Sequence, residues 1–303
     1  MTILVTGATG FLGSALCREL RRRGETVRAA ARAMPEAGDG AGIDWRILDL
    51  AGGPDWSSLL DGVTTVYHLA WSSIPASAAS APAQDLTVNV GGLVGLLEAA
   101  RSRSDIRIVF PSSGGTVYGR PERLPTGEDH PTRPVSAYGV AKLAAEAYLD
   151  LYRVSHGLNS IALRISNPVG PGQDPGKGLG VITHFARAAL AGQPLTLFGD
   201  GRTIRDFVDI ADVVDAMIRA GERREVVGSL NIGAGIGRSL RDVIAAMEAH
   251  FRRPLAVDGR PARSFDVPAC VLDISAAHAQ LGWRPRRSFE ESLSRLIDAM
   301  AAS

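Results

Sequence analysis

The start of the chain limits the fold more than any other feature. An apolar run at 2–6 leads directly into Gly7-Ala8-Thr9-Gly10-Phe11-Leu12-Gly13, and an amphipathic segment, 11–23, continues from it. Glycines at these points permit a tight turn, close approach of backbone to a ligand, and close packing of helix on strand. The first N–H groups of the helix have no acceptor within it and face the turn, where an anion satisfies them. The spacing is GxxGxxG rather than GxGxxG, but strand, glycines and helix come in the required order. Gly7, Gly10, Phe11, Leu12 and Gly13 are therefore the candidate cradle for the pyrophosphate of a dinucleotide.

The rest of the first half keeps the same alternation. Strands are expected at 26–31, 63–69, 106–111 and 160–165, and helices at 88–100 and 136–156. Strands separated by helices argue for βαβ units in a parallel sheet, with ligands at the carboxyl ends of the strands. The expected fold is α/β, a Rossmann-type doubly wound parallel sheet with a smaller, mixed α/β C-terminal substrate domain. The texture changes after Asn167, where Pro168-Val169-Gly170-Pro171-Gly172 opens a loop. The division expected is a dinucleotide-binding domain over 1–166, rejoined by a segment near 206–232, and a substrate domain over 167–303. The Ala/Ser/Pro stretch at 74–83 reads as a mobile loop.

Two further features carry chemistry. The second strand ends in Ala31-Arg32, where an acidic residue would grip the ribose 2′-hydroxyl of NAD. Arg32 suits a 2′-phosphate and leans towards NADP, although stacking on adenine and plain solvation stay open for it. Tyr138 and Lys142, in Tyr-Gly-Val-Ala-Lys, lie four residues apart on one helix face. A free phenol, with a pKa of about 10, is a poor base at neutral pH. A neighbouring ammonium, together with a positively charged nicotinamide, lowers that value, so the pair can move a proton as hydride enters or leaves the same carbon.

Composition excludes other classes. Lys+Arg total 33 against 32 Asp+Glu, a net charge of +1 that gives no pull towards nucleic acid or an anionic membrane. No stretch approaches the length of apolar residues that spans a bilayer, and a cytoplasmic location is expected. Cys17 and Cys270 are far apart with no metal-ligand spacing, so packed, reduced thiols and no metal are expected.

The glycine turn, His68-Leu69-Ala70, the run from Pro111 through Ser112-Ser113-Gly114-Gly115-Thr116 to Val117-Tyr118-Gly119, the Tyr138 helix, and Asn167-Pro168-Val169-Gly170 occur in one order. So ordered, the chain resembles the extended short-chain dehydrogenase/reductase family, in its NAD-dependent epimerase/dehydratase branch acting on nucleotide sugars. The likeness continues through Phe198-Gly199-Asp200-Gly201, Arg205-Asp206-Phe207 and Leu281-Gly282-Trp283. The resemblance implies that Asp49 and Leu50 lie beside the adenine, that Leu69 and Ala70 run along the cofactor, and that Asn89 is near the nicotinamide side. It implies Tyr138 and Lys142 as the catalytic pair, with Lys142 also on the nicotinamide ribose. Asn167, Phe198, Arg205 and Arg263 are implied on the sugar nucleotide, two arginines suiting a diphosphate.

One departure concerns the residue three before Val117-Tyr118-Gly119, where the family usually has Ser or Thr and this chain has Gly114. Ser113, and then Thr116, are the candidates to replace that hydroxyl. The function expected is NAD(P)-dependent C4 epimerisation of a UDP- or dTDP-linked hexose through a transient 4-keto sugar; retention of one cofactor favours NAD. The alternative is an NADPH-dependent reductase of a nucleotide-linked 4-keto sugar. A 4,6-dehydratase is disfavoured because no Asp-Glu pair stands near Thr116, and a non-catalytic scaffold is disfavoured by the intact pair. A homodimer through the helices at 86–100 and 136–156 is implied by the resemblance.

Overall fold

The computed structural model describes residues 1–34, 42–173, 180–262 and 267–302. Its centre is a seven-stranded sheet built from β1 (Thr2–Thr6), β2 (Thr26–Ala31), β3 (Asp44–Ile47), β4 (Val63–His68), β5 (Arg107–Ser113), β6 (Asn159–Ile165) and β10 (Gly228–Ile232). The order is β10-β6-β5-β4-β1-β2-β3, and every pairing is parallel. The expected α/β Rossmann-type sheet is therefore present. Helices cover both faces, which is why β5 and β6 are buried almost throughout rather than alternately.

On one face lie α1 (Phe11–Arg22) and α8 (Ile210–Glu222), whose apolar stripes join the core with Leu16, Cys17, Leu20, Val213 and Met217. On the other lie α2 (Trp56–Leu60), α5 (Gly91–Ala100) and α6 (Ala137–His156), with Leu59, Leu93, Leu96, Leu97, Ala145 and Leu149. Helix α6 starts where the Ser136 side chain accepts from Gly139 N, and stops at Gly157, whose φ of 68° is open to glycine. Both cysteines are free and buried, and burial pushes their thiols up, to about 12 for Cys17 and about 11 for Cys270.

The smaller region contains β7 (Asn167–Val169), β8 (Leu195–Phe198), β9 (Ile204–Asp209), β11 (Gly237–Ser239), β12 (Val257–Arg260) and β13 (Ala269–Cys270). Its helices α7 (Val181–Leu190), α9 (Leu240–Phe251) and α11 (Phe289–Ala301) enclose a separate core with Phe185, Met247, Phe289 and Leu296. Between them, α10 (Ser275–Leu281) precedes Trp283, fully buried against the main sheet's core with its indole N–H on Asp212 O at 2.9 Å. No helix among the described residues is long and apolar enough to cross a membrane.

Two expectations need correction. The 74–83 stretch is not a loop: α3 (Pro75–Ser80) and α4 (Pro82–Asp85) occupy it, each starting at a proline, whose fixed φ suits a first helical turn. Strand β5 runs two residues beyond the expected Pro111, so Ser112 and Ser113 are in the ladder with β6.

Asp206 joins the two regions. Fully buried on β9, it accepts from Ala234 N at 2.7 Å, Gly235 N at 3.2 Å, Leu272 N at 3.2 Å and Ser166 Oγ at 3.3 Å. Burial outweighs these donors and holds its carboxyl above the ordinary range. Asp206→Ala strands three N–H groups, that of Leu272 buried and those of Ala234 and Gly235 partly so, an expected loss of about 3 kcal/mol. The check is a lower urea midpoint at unchanged slope.

Candidate active site

The carboxyl ends of β1, β2, β4, β5 and β6 converge on one edge of the sheet. At β1 the backbone turns at Gly7 with φ 66°, and a Cβ there would stand 2.7 Å from Leu69 C and 2.8 Å from Ala70 N. A Cβ on Gly13 would stand 2.2 Å from Gly7 O, so the helix packs on the turn at glycine distance. Gly10 caps α1 without any side-chain acceptor, leaving the first-turn amides around Phe11, Leu12 and Gly13 open to an anion. The cradle therefore fits a dinucleotide pyrophosphate, and Gly7 through Gly13 would hold it. The Thr6 hydroxyl ties the neighbouring strand ends, accepting from Ala70 N at 3.0 Å and sharing a 3.1 Å bond with His68 Nδ1. Burial pulls His68 down to about 3, so the ring stays neutral.

Beyond β2, Ala31 is buried and Arg32 is exposed. Asp49 is exposed and accepts from Ala51 N at 3.1 Å, capping a short turn at Leu50–Gly52. Leu50 packs on Gly92, where a Cβ would be 2.9 Å from Leu50 Cδ2. Asn89 is fully buried and spends its amide inside the protein. It accepts from Ser72 N at 2.7 Å and Ser72 Oγ at 3.0 Å, and donates to Asp85 Oδ1 at 2.7 Å and Ser73 Oγ at 3.2 Å.

Tyr138 and Lys142 stand in the first turns of α6. The Lys142 ammonium is buried; it donates to Pro111 O at 2.9 Å and lies 3.7 Å from the Trp71 ring centroid. The Tyr138 ring centre is 5.7 Å from the same nitrogen, and its edge meets Trp71 at 6.3 Å between centroids. Burial, opposed by Asp85 and Glu146, pulls Lys142 down to about 7. Burial and Asp85 together push the Tyr138 phenol above its ordinary value. Within the protein by itself, desolvation and a carboxylate outweigh the neighbouring ammonium; the expected lowering calls also on the positive charge of a bound nicotinamide.

One turn on, Glu146 fixes α6 to the sheet. Buried, it pairs with Arg164 of β6 at 2.7 Å and accepts from Ser112 Oγ. Arg164 also donates to Tyr118 OH at 2.9 Å, which in turn donates to Asn231 Oδ1 at 2.7 Å.

At the end of β5, Gly114 explains the missing hydroxyl. A Cβ there would stand 2.6 Å from Leu272 Cδ1 and 2.9 Å from Arg164 O, so Ser or Thr does not fit. Ser113 is half-buried at the strand end, and its carbonyl accepts from Thr116 N and Val117 N at 3.1 Å each. Thr116 Oγ1 is buried without a hydrogen-bond partner.

Of the expected substrate residues, Asn167 donates to Asp206 O at 2.9 Å and opens β7, which pairs with β9. Arg205 lies on β9 and donates to Ile204 O and Val267 O. Phe198 ends β8, half-buried. Arg263 lies outside the described residues. Two residues around the pair escaped the sequence reading, Trp71 and Asp85. Their only signal was position, directly after His68-Leu69-Ala70 and four residues before Asn89. Among the described residues no group of His, Cys, Asp and Glu is placed to hold a metal.

Ser113→Ala is expected to fold normally and, on the sequence expectation that its hydroxyl replaces the one missing at Gly114, to lose about 100-fold in kcat. Gly114→Ser is expected to lower both melting temperature and kcat. Steady-state kinetics beside thermal melts distinguish the two.

The chain matches the model of the NAD dependent epimerase/dehydratase family over residues 3–233. It is 35% identical to a UDP-glucose 4-epimerase of Mycolicibacterium smegmatis, over 98% of both chains. It is 28% identical to a dTDP-4-dehydro-6-deoxyglucose reductase of Escherichia coli, over 98% of this chain and 97% of the other. A solved UDP-glucose 4-epimerase of Thermus thermophilus, in complex with NAD, superposes with a TM-score of 0.92 at 33% identity, covering 100% of each chain. With its glycine cradle, Tyr138/Lys142 pair and parallel sheet, the chain belongs to the NAD dependent epimerase/dehydratase family.

Proposed function

We propose that this protein is an NAD-dependent nucleotide-sugar 4-epimerase, acting on a UDP- or dTDP-linked hexose. The observation that carries the reading is the seating of Tyr138 and Lys142 against Pro111 O, near the end of β5, and against Trp71, directly after the Leu69-Ala70 backbone on which Gly7 of the cradle packs. NAD, when bound, supplies a hydride acceptor and donor and, in its oxidised form, a positive charge. Tyr138 takes the proton of the C4 hydroxyl as that carbon is oxidised, and returns it once the ketone has presented its other face. Lys142 offsets the charge that develops on the phenol, and Ser113 holds the reacting oxygen. Asn167, Phe198 and Arg205 would hold the sugar nucleotide, with Arg263. Asp49, Leu50, Leu69 and Ala70 would line the adenosine side, and Asn89 holds the loop between.

A second reading, reduction of a nucleotide-linked 4-keto sugar, is supported by the Escherichia coli relative and by Arg32 beside the buried Ala31. The dinucleotide released on denaturation separates the two. Epimerisation predicts retained NAD and interconversion of the C4 epimers without added cofactor. An empty protein that consumes NADPH with a 4-keto sugar overturns it. Tyr138→Phe is expected to lower kcat by about 10³-fold at unchanged melting temperature.

The proposed division is 1–166 with a returning segment near 206–232 for the dinucleotide, and the remainder of 167–303 for the sugar. A homodimer through α5 and α6 is proposed on one surface of α6. Val140, Tyr148, Leu151 and Val154 are exposed there, at 39–71%, along a single helical stripe. Light scattering should give twice the chain mass, and Leu151→Glu should give a monomer.

A further inference from the structure

We propose that Trp71 and Asp85 are the positioning residues for Lys142, Trp71 as the aromatic floor under its ammonium and Asp85 as its buried countercharge. Geometry carries the first half. The Lys142 ammonium is buried, and its contacts are one carbonyl, Pro111 O at 2.9 Å, and aromatic faces: Trp71 at 3.7 Å and Phe110 at 4.6 Å. A carbonyl and an indole face leave a buried cation short of the hydration it lost, so each remaining contact weighs heavily. The Trp71 side chain is itself held between Tyr138 and Phe110, at 6.3 and 5.7 Å between centroids. It therefore fixes the ammonium relative to the phenol.

The second half rests on a locked carboxylate. Asp85, at the end of α4, is buried; Oδ1 accepts from Asn89 and from the Ser73 hydroxyl, while Oδ2 is buried without a partner. Helices α3 and α4 both pack on α6. The carboxylate acts on both members of the pair, raising Lys142 and raising Tyr138. Among the other groups acting on Lys142, Glu146 is committed to Arg164, and His68 is neutral. Asp85 thus supplies the negative charge not already paired with a cation. The same bonds that hold it, through Asn89 to Ser72, fix the segment that directly follows Trp71.

The test reads Lys142 directly, because the chain has two lysines, Lys142 and Lys177. In protein labelled with ¹³C at lysine Cε, Lys177→Arg assigns the spectrum. The expected result is a Lys142 signal with its ε protons shifted upfield by the indole, titrating near 7. Trp71→Leu should abolish the upfield shift, and Trp71→Phe should keep part of it. Asp85→Asn should move the midpoint down by about one pH unit, a tenfold fall in the charged-to-neutral ratio of Lys142 at fixed pH. In activity, which rests on the function proposed above, both limbs of the pH profile of Asp85→Asn should move to lower pH. The acid limb follows because removing a negative charge also eases phenol ionisation. Asp85→Glu should restore part of the profile. A Lys142 signal with no ring shift, or a midpoint that Asp85→Asn leaves unmoved, overturns the proposal. A positive spectrum in a protein inactive on every sugar nucleotide overturns the function and leaves the positioning intact.

Discussion

Much of the site depends on the buried pair between Glu146 of α6 and Arg164 of β6. Both charges are shielded from solvent, and such a pair stands only when its remaining hydrogen-bonding groups are used. Here Ser112 and Ser229 serve Glu146, while Tyr118 and the Glu128 carbonyl serve Arg164. Tyr118 passes the chain on to Asn231, which reaches Thr126 O and Asp273 O. One polar cluster thus joins α6, β5, β6, β10 and the 118–131 loop. Because Lys142 lies one turn before Glu146, the helix that carries the pair is fixed in both height and rotation against the end of β5.

That rigidity sets the proton chemistry. Desolvation acts in opposite directions on the two members, raising the phenol and lowering the ammonium. Each is left in its neutral form more readily than in water, so the charge on either depends on the groups placed around it. The aromatic floor of Trp71 and Phe110 excludes water, and the Asp85 carboxylate sets the local potential. The ionisation of the pair is then governed by a handful of fixed charges rather than by solvent.

Some of this was legible in the residues. The glycine turn declared itself because only glycine fits at Gly7 and Gly13, and the four-residue spacing of Tyr138 and Lys142 puts them on one face of any helix. Gly114 was legible as a departure but not as a necessity; its reason is Leu272, 158 residues away in sequence, lying where a Cβ would go. The 74–83 stretch misled because Ala, Ser and Pro suit loops and short helices alike. Asp206 sat inside a recognised run, yet nothing local shows that its four donors come from Ser166, Ala234, Gly235 and Leu272.

Turn conformation, helical period and the alternation of strand with helix are short-range rules, and they were enough to specify the parallel sheet, the glycine turn and the shared helix face of Tyr138 and Lys142 from the residues alone. What surrounds the pair is a product of packing. Trp71 meets Lys142 across 71 residues of chain, and the charge of Asp85 acts on it from a different helix. Burial and long-range charge are properties of the packed assembly, so the ionisation of Tyr138 and Lys142 was settled only when β4, β5 and α6 came together.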